Sequence, residues 1–155
     1  MTDEVIARID VAPGRRWLGV GMIGLLAALL VYLAMSIPFH LPRQLGLLAA
    51  GGLAFWLAMA MHRSTSVSIE LTGTQLRDGS GMVLAEIADI VAVERGVLAF
   101  KPSNGFLVRT ASKQARAWKP GLWWRLGRRV GVGGVLSAGQ TKAMADTLAA
   151  MIVNR

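Results

Sequence analysis

Between residues 17 and 61 the chain carries one charged side chain, Arg43, and that residue lies in a seven-residue break between two uninterrupted apolar runs. The first run, 17–37, would rise about 31 Å as an α-helix, enough to cross the roughly 30 Å hydrocarbon core of a bilayer. The second, 45–61, reaches about 25 Å on the same rise and must recruit flanking residues or stand nearly upright. A membrane protein is therefore expected: a segment 1–16, a transmembrane helical hairpin 17–61, and a soluble domain 62–155. A cleaved signal peptide is the rival reading of the first run, but the run is longer than an ordinary signal core and a second apolar run follows at once.

Positive flanks resist translocation. The connecting loop holds Arg43, whereas the outer flanks hold Arg8, Arg15, Arg16 and Arg63, which places both termini in the cytoplasm. Small residues recur in both runs, and Gly19, Gly24, Gly51 and Gly52 are candidates for close helix packing, either on each other or on a larger membrane complex. Neither run contains an ionisable residue, which argues against a channel, pump or proton path. Trp17, Tyr32 and Trp56 lie near the run ends, where amphipathic rings favour the headgroup zone.

Beyond residue 62 the pattern changes to short alternating segments, which read as half-buried strands. These are 67–71, 75–78, 82–85, 87–95, a hairpin of 97–100 with 106–110 around the turn 101–105, a short strand 114–118, and a glycine-containing strand 129–136. A final helix is expected after Ser137, with Gln140 three residues on as in a capping box. Its Met144, Leu148, Met151 and Ile152 share a face that needs a sheet to cover. The expected fold class is α+β: a curved antiparallel sheet of six to seven strands capped by a C-terminal helix, as in the pleckstrin-homology superfold.

The helical hairpin, the segment Val67-Ser-Ile-Glu-Leu-Thr-Gly-Thr-Gln-Leu-Arg77, the segment Ile87-Ala-Asp-Ile-Val91 and the final helix together resemble the bacterial PH and YcxB-like membrane proteins, which join two N-terminal membrane helices to a PH-like domain. That resemblance covers most of the chain. It implies an interaction or accessory module in a bacterial inner membrane and supplies no catalytic residues.

The chemistry legible in the sequence is sparse. There is no cysteine, which excludes disulfides and thiol chemistry. The formal charge of +8 is concentrated after the hairpin. From Arg95 to Ala145 ten Lys or Arg residues occur with no Asp or Glu, and within that stretch three tryptophans are interleaved with five basic residues between Arg116 and Arg129. Trp118, Leu122, Trp123, Trp124, Arg125, Arg128 and Arg129 are the candidate docking residues, for anionic lipid or an acidic protein patch. The bland alternative makes the tryptophans core and the arginines a solvated face, although adjacent Trp123 and Trp124 cannot both face one core in a regular strand. Nucleic acid would use the same residue types, but no recognised binding motif accompanies the charge.

Residues 134–141 match phosphate-loop spacing except that Gln140 replaces the lysine, and 131–136 fail the dinucleotide spacing at Leu136. His40 and His62 have no carboxylate spaced to make a metal site or general base, and Ser103 and Ser112 have no paired base. Glu86 and Asp89 read as turn or cap groups. No catalytic residue, cofactor, metal or small-molecule substrate is assigned. The function expected is a non-catalytic accessory or assembly protein that positions a larger membrane complex. The alternative is a tethered lipid-sensing module that reads anionic leaflet charge.

Overall fold

The computed structural model describes residues 3–96 and 101–154. Its element order is β1 (Val5–Ile9), α1 (Pro13–Ser36), α2 (Leu41–Ser64), β2 (Ile69–Thr72), β3 (Gln75–Asp78), β4 (Val83–Glu86), a 3-10 turn (Ile87–Asp89), β5 (Ile90–Glu94), β6 (Phe106–Lys119), β7 (Trp123–Val132) and α3 (Ala138–Val153). The fold is α+β.

Helices α1 and α2 are each 24 residues long and apolar enough to cross a membrane. Both exceed the apolar runs. Proline near each helix start supplies a preset φ and lacks the N–H that a first turn leaves unused. Helix α2 gains the flanking residues its short apolar run required, and about 36 Å of helix results. Most of their large apolar side chains face outward, as in Leu25, Met35 and Leu53.

Segment 1–16 holds a strand that the sequence analysis did not identify. β1 pairs antiparallel with β2, with Ile9 opposite Ile69 and Arg8 opposite Glu70. Since β1 precedes the helical pair and β2 follows it, this pairing brings the outer ends of α1 and α2 to the same side.

The strands form two antiparallel sheets, β1-β2-β3-β4 and β5-β6-β7, rather than one continuous curved sheet. The cause lies at residues 87–89, expected to be strand and found as a 3-10 turn that carries the chain from one sheet to the other. Asp89 fixes that turn by accepting hydrogen bonds from the Ser112 amide at 3.0 Å and from the Ser112 hydroxyl at 2.5 Å, with Gln114 Nε2 at 2.9 Å. The expected strand at 97–100 lies outside the described residues. The segment 114–118 is the continuation of β6, and the last strand begins at Trp123 rather than at 129.

The β6–β7 hairpin belongs to the second sheet and reaches over the first. Its base pairs with β5, with Val108 opposite both Val93 and Val130. Register shifts between Arg109 and Ala117 bend it, and Gly127 adopts a positive φ of 60° in β7. Curled in this way, the tip returns to the end of its own second strand, where the Gly133 amide bonds the Leu122 carbonyl at 2.9 Å and the Val135 amide bonds Gly121 at 3.0 Å. The tip half meanwhile packs on the first sheet: Arg125 Nη1 donates to the Val83 carbonyl at 2.7 Å.

Helix α3 covers the core with Met144, Ala145 and Leu148 fully buried and Met151 and Ile152 packed against it. The face expected from the sequence is the one used. Ser137 occupies the N-cap position, but its side chain makes no cap hydrogen bond, so the capping box does not form. The first turn is tied down instead by Thr141, whose hydroxyl donates to the Asn104 carbonyl at 2.7 Å.

Candidate functional site

The Trp/Arg stretch divides between core and surface because β-strand side chains alternate in direction. Leu122 and Trp123 are each 1% exposed and belong to the core; neither is available for docking. Trp123 Nε1 donates to Asp78 Oδ2 at 3.2 Å. Arg125 is half-buried: besides Val83 it donates through Nε to the Ala115 carbonyl at 2.7 Å, and its guanidinium lies 6.0 Å from the Trp123 ring centre. Leu122 and Trp123 are corrections to the expected docking surface, whereas Arg125 also borders the depression on the outer face.

The opposite face presents what remains. Trp118 and Trp124 sit directly across from each other on β6 and β7. Trp118 is 58% exposed and Leu126 53% exposed, and with Arg116 and Trp124 they border a shallow, mainly apolar depression. Trp124 is held by Gly131, where a Cβ atom would fall 2.4 Å from the indole ring. Arg128 and Arg129 are exposed further along β7. Of the candidate docking residues, Trp118, Arg128 and Arg129 are exposed and Trp124 and Arg125 half-buried.

The position of that surface is set by the hairpin tip. Ser64 Oγ, at the end of α2, donates to the Pro120 carbonyl at 2.8 Å. A Cβ on Gly121 would fall 2.9 Å from Met61 and 3.3 Å from Thr65. The tip thus abuts the last turn of α2, and Trp118 stands beside it.

Asp78 was not singled out by the sequence analysis. It is fully buried and accepts from Lys119 Nζ at 2.5 Å, the Ser80 hydroxyl at 2.5 Å, and the Ser80 and Met82 amides at 3.0 and 3.1 Å. Burial alone would raise its pKa, but the Lys119, Ser80 and Met82 hydrogen bonds and the Lys119 charge outweigh it and hold the pKa below the usual carboxylate value. With every acceptor position filled, Asp78 is a structural clamp between β3 and the hairpin. Asp89 is lowered as well, chiefly by the Ser112 hydroxyl.

Of the packing glycines, Gly51 lies at the α1–α2 contact, where a Cβ would meet Val31 at 3.0 Å and the Ala27 carbonyl at 3.4 Å. Gly19 faces Met61 and Val135, so it seats α1 against α2 and the domain. Gly24 and Gly52 have open space where a side chain would go; they do not pack the pair together. They border an open groove of about 760 Å³ between the helices, lined also by Met35, Leu48 and Phe55.

A second cavity, of about 480 Å³, lies at the start of α3 beside Arg95, Lys101 and Lys142. Arg95 pairs there with Asp146, and Lys101 donates to Gly105 at 3.2 Å. Among the described residues no group of three His, Cys, Asp or Glu side chains is placed to hold a metal. His62 meets the Trp17 ring, centroid to centroid at 5.2 Å. No family model matches the chain, and neither a curated protein nor a solved structure matches it.

Proposed function

We propose that this chain is a non-catalytic accessory or assembly protein of a bacterial inner membrane, of the PH-like kind, which positions a larger membrane protein complex. The observation that carries the reading is the open groove at Gly24 and Gly52. Two small residues that serve no packing role within the pair leave a concave apolar face in a membrane-crossing hairpin, and small residues are what permit close helix–helix approach there. Among the described residues, antiparallel strands in sheets of four and three followed by a C-terminal helix support the PH-like assignment. The hairpin crosses the membrane with both termini in the cytoplasm, and the domain rests on its cytoplasmic end.

The test is to purify the tagged full-length chain from native membranes in mild detergent, beside Gly24→Leu and Gly52→Leu variants. A partner recovered in stoichiometric amount with the unmodified chain, and lost with the filled groove, establishes the reading. Recovery of the chain alone overturns it.

One observation favours the second reading, a tethered module that senses anionic lipid: the exposed Trp118 and Leu126 beside Arg116, at a hairpin tip seated on α2. Aromatic rings and arginines in that combination suit the headgroup boundary. Trp118→Ala with Arg116→Gln then weakens association of the domain face with anionic vesicles, and unchanged association removes this reading.

A further inference from the structure

We propose that the neck between the helical pair and the domain binds the headgroup of one anionic phospholipid, through Arg16 and Arg63 with Trp17 and His62 beside them. The inference rests on the hairpin crossing a membrane and on neither reading of what the groove or the β6–β7 face contacts.

The neck is where the outer end of α1 meets the outer end of α2. Arg15, Arg16 and Trp17 occupy the first turns of α1, and His62 and Arg63 the last turn of α2. Arg16 Nη2 donates to the His62 carbonyl at 2.9 Å and lies 3.4 and 3.5 Å from the two ring nitrogens. Arg15 Nη1 donates to the Leu136 carbonyl at 3.0 Å, which ties the neck to the start of α3.

Three properties point to an anion. The neck gathers three arginines, and none of the ion pairs formed among the described residues includes Arg15, Arg16 or Arg63. Secondly, Arg16 Nε is a buried donor without an acceptor, a costly arrangement that leaves the guanidinium charge unbalanced by any carboxylate among the described residues. Thirdly, the neighbours suit a lipid. Trp17 is 61% exposed with its ring against His62, and one turn further along α1 the contact becomes wholly apolar at Gly19 and Met61.

That order, arginine then indole then hydrocarbon, matches the order from phosphate to acyl chain across a leaflet. A phosphate at the neck would accept from the exposed Arg63 side chain, with the half-buried Arg16 guanidinium adding its charge. The acyl chains would follow the outer faces of α1 and α2.

The experiment is native mass spectrometry of the full-length protein in detergent, titrated with phosphatidylglycerol or with phosphatidylcholine of the same chains. The unmodified protein is expected to retain phosphatidylglycerol in preference, with each arginine contributing about fivefold. Arg16→Gln with Arg63→Gln should bring the two lipids within about twofold of each other, while Arg63→Lys keeps most of the preference because it keeps the charge. Arg63→Gln alone, at an exposed side chain, serves if the double variant does not fold, and should cost about fivefold. Equal retention of both lipids by the unmodified protein overturns the inference. So does a preference that survives the neck substitutions but disappears with Arg128→Gln and Arg129→Gln, which would move the site to β7. Neither result bears on whether a protein partner co-purifies.

Discussion

At Asp78 a carboxylate with no exposure is surrounded by two amides, a hydroxyl, an indole N–H and an ammonium group. Asp78→Asn keeps the shape but removes the charge, leaving the half-buried Lys119 ammonium unpaired; a loss of about 3 kcal/mol is expected in thermal unfolding of the detergent-solubilised chain. Asp78→Asn with Lys119→Met should recover part of it. The pH dependence has a definite sign. Folding lowers the Asp78 pKa below its ordinary 3.8, so its contribution is complete above about pH 5 and is lost as pH falls through 3.8 towards the folded value. Asp3 is lowered through its bonds to Thr74 and Thr72, and Asp89 through Ser112, and both act in the same direction. The neighbouring tryptophans separate just as clearly: Trp123→Ala should cost about 3–5 kcal/mol and Trp118→Ala less than about 0.5 kcal/mol in the same unfolding measurement.

At the scale of elements, the helical pair tests whether a small residue marks an internal contact or an external one. Gly51→Leu places a side chain against Val31 and the Ala27 backbone. It is expected to destabilise the pair by about 1–3 kcal/mol, as read by SDS-driven unfolding in mixed micelles. Gly52→Leu, one residue away, projects into open groove and should leave that unfolding curve unchanged. Sequence could not separate these two. Both are glycines in an apolar run, and only the rotation of α2 about its axis decides which meets α1. The β6–β7 hairpin poses the same problem. Alternation alone would put one of Trp123 and Trp124 outside, but the register shifts that follow Arg109 decide which, and in that stretch Ser112 is bonded by Asp89 from the 3-10 turn.

For the molecule as a whole, the pairing of β1 with β2 across the helical pair makes the two termini inseparable in sidedness. Cysteines introduced near residue 4 and near residue 154, into a chain that has none, should therefore be labelled by a membrane-impermeant maleimide from the same side of sealed vesicles. Labelling from opposite sides would contradict the β1–β2 pairing. Removing β1 should do more than shorten the tail. It exposes Ile69 and Leu71, both fully buried, and the truncated chain is expected to aggregate or to unfold at a markedly lower temperature than the full chain.

The two membrane-length helices, the α+β class, β3 with its limits, and the buried face of α3 were all legible in the sequence, because each depends on local periodicity or on a continuous run of one residue type. β1 was not, since five residues next to a long apolar run give a weak signal and the strand's partner lies sixty residues away. The division into two sheets, the burial of Leu122, Trp123 and Asp78, and the meeting of Arg16 with His62 likewise depended on contacts distant in sequence. Local periodicity sets which side of an element is apolar. Only the tertiary structure, by closing bulges, turns and ion pairs between distant segments, settled which of those sides is covered and which is left exposed.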